Sequence, residues 1–263
     1  MEQKLICEVE AIVLAGDEND PLASAAGVVA KGGIICSGLP MIQIVVDSLL
    51  SSSSVKRCIV IVAPEIQALV KEHPAVKMVK PVGSFSENLA VGIEHLQNWN
   101  IPVLLLTGDL PLLNSSIVDQ FVWDAQELDA DIVYPIVSKK TMLEKYPGAR
   151  RLFIRLQDGS FTGGNFGLAR RPMLKKFQPF IQKIHDARKN PLRLCLMFGL
   201  GFLFRLITHR LRICQVEERA GKLIGGTARA LTLDSPEIAF DVDKQEDLNL
   251  VRGILLEKDQ TRS

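Results

Sequence analysis

Residues 103–112 read VLLLTGDLPL, and this decamer decides the fold. Val103 to Leu106 is continuously apolar and Thr107 closes the run, which is too short for a buried helix and suits a strand covered on both faces. Gly108 then lets the backbone turn tightly, and Pro111 sets the direction of the departing loop. Asp109 is left directly beyond the carboxyl end of the strand, the edge where open α/β sheets bind their ligands.

The same grammar repeats outward from this point. AIVLA (residues 11–15, ending at Gly16), CIVIVA (58–63) and IVYPIV (132–137) read as further strands, and VKMV (76–79) as a short one. Residues 40–50, 65–72, 86–96 and 115–128 carry apolar side chains at helical spacing between them. The Ser86-Glu87 pair suits the start of the third helix, and Asn114 or Ser115 the cap of the fourth. Short apolar strands alternating with helices predict an α/β protein with a mostly parallel central sheet sandwiched between helical layers.

The second half is less regular. Residues 139–161 predict an excursion, with strands at 151–156 and 160–168 around an Asp158-Gly159 turn. Between Asn165 and Gln215 lie 11 Lys and Arg but one acid, Asp186, and the region encloses an apolar run at 194–204. That run falls short of the roughly 20 residues that span a bilayer. A helix over 216–223, a strand over 228–233 and a final helix from about Gln245 complete the reading. The whole predicts a single domain over 1–263, with residues 9–138 as one half, 139–255 as the other, and 170–212 as a basic, apolar insertion.

Composition removes several classes. Of the 263 residues, 31 are Lys or Arg and 30 are Asp or Glu, giving a net charge of +1, and 47% are hydrophobic. A disordered chain needs the opposite balance, and no global basic excess suggests nucleic acid as a partner. The five cysteines (7, 36, 58, 195, 214) form no CxxC pair, so neither a zinc site nor a disulfide framework is expected. Residues 1–10 lack the apolar core of a leader peptide, and a cytoplasmic location is expected.

Three clusters carry chemistry. Asp109 follows a buried strand, where carboxylates either hold Mg²⁺ or cap the next helix. FDVDKQEDL (240–248) offers Asp241 and Asp243 two residues apart, on one side of an extended segment, and either would complete a metal site with Asp109. Leu14-Ala15-Gly16 followed by Lys31 offers backbone donors and a cation for a phosphate. It is neither a P-loop nor a dinucleotide fingerprint.

Taken together, these motifs resemble the molybdenum-cofactor guanylyltransferase-like family of nucleotidyltransferases. Lys31 precedes Pro40 of Gly38-Leu39-Pro40-Met41-Ile42 by nine residues, as in the family's Lys and G-x-P-L-I helix start. Gly108-Asp109-Leu110-Pro111-Leu112 matches a GDMPL-type loop, Asp241 to Leu248 a D-x-D-x-P-E-D-L segment, and Thr162-Gly163-Gly164-Asn165 a GGN turn. The match runs in consistent order over about residues 9–255. It implies a GT-A type, Rossmann-like fold and transfer of an NMP from an NTP to a small phosphorylated acceptor, with release of pyrophosphate. Lys31 would bind the triphosphate, and Asp109 and Asp243 would hold Mg²⁺. Leu14, Ala15, Gly16, Gly83, Ser86, Asn88 and Gly108 would line the nucleotide, and Gly163, Gly164 and Asn165 the acceptor. The family's S-x-R-M-G loop reads Asn19-Asp20-Pro21-Leu22-Ala23 here, without the Arg and with three acids at 17, 18 and 20.

Two rival readings stay open at this stage: a glycosyltransferase using a nucleotide sugar, and a degenerate nucleotide-binding module. Residues 170–212 suit either a membrane surface or a helical hairpin whose apolar run is buried in the core or in a homodimer, with the Lys and Arg solvated outside, the second being preferred.

Overall fold

The computed structural model describes residues 7–16, 20–176 and 199–260. Its strands are β1 (Val9–Ala15), β2 (Ile35–Cys36), β3 (Leu39–Pro40), β4 (Val55–Val62), β5 (Val76–Val79), β6 (Val103–Thr107), β7 (Ile132–Ser138), β8 (Ile154–Leu156), β9 (Gly159–Gly163), β10 (Phe166–Ala169) and β11 (Ala228–Thr232). Nine of them form one sheet in the order β5-β4-β1-β6-β10-β7-β9-β8, with β11 also on β7. The β5, β4, β1 and β6 pairings are parallel, as is β7 with β11; β10 runs antiparallel between β6 and β7, and β9 and β8 continue antiparallel beyond β7.

Helices α1 (Pro21–Ala25), α2 (Met41–Leu50), α3 (Pro64–Gln67), α4 (Phe85–Glu94), α5 (Ser115–Glu127) and α6 (Lys139–Lys145) flank the sheet, with later helices over Leu200–Ile207, Ile213–Ile224 and Gln245–Gln260. Alternation along β1 explains the sandwich. Ala11 and Val13 belong to the core that holds α2 and α5, while Ile12 and Leu14 belong to the core that holds Leu89 and Ile93 of α4. Met41, Ile42, Val45, Val46 and Leu49 give α2 one fully buried face, each side chain contributing about 1.5–3 kcal/mol. The chain leaves β1 for β4 on one side and returns from β5 to β6 on the other. The carboxyl ends of β1 and β6 therefore flank a topological switch point, the expected ligand crevice.

The architecture is the expected Rossmann-like α/β sandwich, with local differences. The helix expected over 65–72 ends at Gln67. Lys71 N–H donates to the Gln43 side chain at 2.7 Å, and Pro74 bars helical continuation. Helix α4 is capped by Ser84, not Ser86, through a capping box with Glu87, while Asn114 caps α5. The strand expected over 160–168 is two strands. Gly164 N–H turns to Pro135 O at 2.8 Å and Asn165 N–H to Ile238 O at 3.0 Å, carrying the chain from one edge of β7 to the other.

The insertion is described only in part. Residues 177–198, including the first five residues of the apolar run, lie outside the described residues. Its described end is the helix Leu200–Ile207, where Phe204 and Ile207 are about two-thirds exposed, at 65% and 66%, so these side chains are not core. Nor are all the basic residues solvated. Arg171 is buried, donates to Leu96 O at 2.8 Å and stacks on Trp99 with Cζ 3.7 Å from the ring centroid. Among the described residues no helix is long and apolar enough to cross a membrane.

Candidate active site

Two loops beyond the sheet carry the acids, and backbone bonds hold them side by side. Gly108 N–H donates to Leu14 O at 3.0 Å, tying the end of β6 to the end of β1. A Cβ at Gly108 would sit 2.5 Å from Ala15 Cβ and 3.0 Å from Ile42 Cδ1, so only glycine fits this approach. From the next residue, Asp109 O accepts the Val242 N–H at 3.1 Å. Phe240 and Val242 anchor the second loop in the core and leave Asp241 and Asp243 projecting on the crevice side, in irregular backbone rather than a strand.

Lys31 enters from a third direction. It opens a 3₁₀ turn (Lys31–Gly33) that leads into the β2–β3 hairpin, whose two turn residues, Ser37 and Gly38, both have positive φ (47° and 79°). This is the geometry of a tight two-residue hairpin, and it delivers the chain to Met41 at the start of α2. The spacing of nine between Lys31 and Pro40 thus encodes one turn, one hairpin and one helix start.

The Lys31 ammonium lies between the two acids, 2.6 Å from Asp109 Oδ2 and 2.8 Å from Asp243 Oδ1. Burial opposes its charge, but Asp109 first and Asp243 second more than reverse this, and the pKa is raised above the usual lysine value. For Asp243, burial works toward protonation, and the Lys31 ammonium overrides it and holds the pKa below the usual carboxylate range. Asp109 Oδ1 is buried and has no hydrogen-bond partner among the described residues. Such an atom is costly unless a ligand satisfies it.

Asp241 faces the same centre. Burial, with Asp109 and Asp243 nearby, pushes its pKa above the usual carboxylate range, against the pull of Arg151. Arg151 Nη1 binds Asp241 Oδ1 at 2.7 Å, Nη2 donates to Asp241 O at 2.8 Å, and the guanidinium stacks on Phe240. Asp247 lies 3.6 Å from Nη2.

The nucleotide-side residues form one wall. Asn88 is buried: its Oδ1 accepts from Val82 N–H at 2.8 Å and its Nδ2 donates to Gly83 O at 3.1 Å, so it clasps the loop that holds Gly83. A Cβ at Gly16 would run 2.9 Å from Pro81 Cβ and 3.3 Å from Asn88 Nδ2, which packs the end of β1 against this loop. Ser86 is half-buried in the first turn of α4. Of the three acids in the altered loop, Asp20 caps α1 by accepting from Leu22 N–H at 2.9 Å and Ala23 N–H at 3.2 Å; positions 17–19 lie outside the described residues.

On the other side, Gly164 ties the turn after β9 to β7 through Pro135 O, Asn165 ties it to Ile238 O, and Thr107 N–H donates to Asn165 O at 3.3 Å. A Cβ at Gly163 would collide with the phenol of Tyr134. Tyr134 itself is 47% exposed and lies close enough to Asp241 to feel that carboxylate's charge. Sequence reasoning missed Tyr134 and Arg151. An alternating position in IVYPIV was the available signal for Tyr134, whereas nothing local marked Arg151.

The donor set suits a hard cation with few protein ligands. Asp109 and Asp243 converge on one point, Asp109 keeps an orphaned oxygen, and among the described residues no group of three or more His, Cys, Asp or Glu assembles a metal cage. Mg²⁺ is commonly bound by one or two carboxylates plus substrate phosphates.

Residues 11–189 match the family model described as a MobA-like NTP transferase domain. None of the curated proteins searched matches the chain. A hypothetical transferase from Thermus thermophilus shares 34% identity, over 92% of this chain and 99% of that one, with a TM-score of 0.78. A CMP:2-keto-3-deoxy-manno-octonic acid synthetase complexed with CTP superimposes with a TM-score of 0.59 at 13% identity, over 95% of this chain and 98% of that one. A 2-C-methyl-D-erythritol 4-phosphate cytidylyltransferase, also from Thermus thermophilus, gives 0.55 at 13% identity, over 94% and 98%. At such identities the last two speak for the fold alone.

Proposed function

The chain belongs to the MobA-like NTP transferase family, and from that premise we propose that it moves an NMP group from a nucleoside triphosphate onto a small phosphorylated acceptor, releasing pyrophosphate. The observation that carries this reading is the meeting of Lys31, Asp109 and Asp243 at the β1/β6 switch point, with one Asp109 oxygen left unsatisfied. The synthetase solved with CTP and the phosphoerythritol cytidylyltransferase share this fold.

In this mechanism Asp109 and Asp243 would hold Mg²⁺. When bound, the ion supplies charge neutralisation on the phosphate oxygens of the donor. The backbone of Leu14, Ala15, Gly16 and Gly108, with the loop of Gly83, Ser86 and Asn88, seats the nucleoside. Lys31 neutralises the triphosphate and then the leaving pyrophosphate. Gly163, Gly164 and Asn165, with Tyr134 beside them, orient the acceptor. An oxygen of the acceptor phosphate bonds to the α-phosphorus in line as the bond to the bridging oxygen breaks. That nucleophile is already anionic near neutral pH, so positioning and charge stabilisation suffice. Residues 9–138 would mainly serve the nucleotide and 139–255 mainly the acceptor, with Asp243 and Tyr134 each crossing to the other side.

Replacing Asp109 by Ala tests the assignment. Pyrophosphate release, followed with each of the four common triphosphates and a cell-extract acceptor pool, is expected to fall by at least about 10²-fold while the far-ultraviolet circular dichroism stays unchanged. Undiminished release would remove Asp109 from the chemistry.

A further inference from the structure

We propose that Lys31 is itself the occupant of the cation position in the free protein, and that it must vacate Asp109 and Asp243 before a divalent ion binds there. The inference rests on the reading of that pair as cation ligands and adds how the site is kept until substrate arrives. One ammonium touches Asp109 Oδ2 at 2.6 Å and Asp243 Oδ1 at 2.8 Å. Mg²⁺ sits about 2.0–2.1 Å from its oxygens. An ion on the same two oxygens would therefore overlap Nζ, and one held by the orphaned Asp109 Oδ1 together with Asp243 would still face Nζ across a single carboxylate, where two cations repel.

The surroundings make this an exchange rather than a coexistence. Lys31 is the only lysine or arginine in ion-pair contact with Asp109 or Asp243 among the described residues. Arg151, the other cation of the cluster, is committed to Asp241 and Asp247. Without Lys31 or a metal ion, Asp109 and Asp243 would lose their one direct counter-charge, leaving the more distant Arg151 charge to act on Asp243. With it, the acids stay charged and their loops stay together. The lysine stem is long and flexible enough to swing from carboxylate to phosphate. A bound triphosphate then gives the displaced ammonium a new anionic partner. Cation and nucleotide are accordingly expected to bind cooperatively, each weakly alone.

Titration of the full chain with Mn²⁺, following the free ion by electron paramagnetic resonance, reads the competition without turnover. Lys31→Met is expected to bind Mn²⁺ at least about tenfold more tightly than the wild type. Equal or weaker binding overturns the proposal. If Lys31→Met does not fold, the wild type still decides: acetylation of Lys31, read by mass spectrometry, is expected to speed up several-fold in saturating Mn²⁺, and an unchanged rate overturns it. Asp109→Asn separates the two layers. Mn²⁺ binding that survives this change contradicts the carboxylate assignment itself, whereas binding lost in Asp109→Asn but indifferent to Lys31→Met contradicts the exchange alone.

Discussion

Arg151 holds the acid cluster from behind, and its loss isolates a charge. Its guanidinium is 10% exposed and Asp241 21% exposed, with 90 residues of chain between them. Arg151→Met removes the counter-charge, and urea unfolding is expected to show a loss of about 3 kcal/mol, the range for breaking a buried pair by deleting one partner. Tyr134→Phe acts on substrate instead. If the phenol orients the acceptor, this variant raises the acceptor KM about three- to tenfold and leaves the triphosphate KM unchanged, as steady-state kinetics would show. Lys31, Asp109 and Asp243 were legible in the sequence because each closes a short punctuated motif with a fixed spacing. Arg151 was not, since its partner Asp241 is remote in the chain, and Tyr134 showed only as an alternating position in IVYPIV, with nothing local to link it to Gly163.

At the scale of elements, the 3₁₀ turn Pro236–Ala239 is clamped to α6. Its Glu237 carboxylate is 3% exposed, contacts Lys145 Nζ at 2.6 Å and accepts from the Tyr146 hydroxyl at 2.9 Å. Burial favours its protonation, but the Lys145 contact and further hydrogen bonds outweigh that and lower its pKa below 4.5. A carboxylate depressed in the folded state stabilises above its unfolded pKa, and the contribution drains away as pH falls through the folded value. Glu237→Gln is therefore expected to cost about 1–3 kcal/mol at neutral pH. Its melting temperature should also decline less steeply than the wild type's as pH drops below 4.5. Parallel steepness in both proteins would deny Glu237 this role. Element boundaries showed the same division between local and remote causes. The strand Val103–Thr107 is where its apolar run placed it, whereas the break at Gly164-Asn165 depends on Pro135 and Ile238, which no reading of 160–168 includes.

Across the whole molecule, the mostly parallel sandwich was legible because buried strands and amphipathic helices alternate with clear turn residues. The antiparallel insertion of β10 between β6 and β7 was not, since order within a sheet is set by which edges are free when each strand arrives. The insertion at 170–212 misled for a physical reason as well. Charge density suggested a solvated face, yet Arg171 is drawn inward by the carbonyls of Ile93 and Leu96 and by Glu10, 3.9 Å away. The loops carrying Asp109 and Asp243 bring the two halves of the chain to one crevice, and the account stands on what passes between them there. The most direct measurement supplies the common triphosphates labelled at the α-phosphate, together with a pool of small phosphorylated metabolites. The account predicts that label from one of them moves into a low-molecular-weight acceptor in step with pyrophosphate release, and that Asp109→Ala stops both. Label that stays in the triphosphate, while a sugar is transferred from a nucleoside-diphosphate sugar offered in its place, would contradict it.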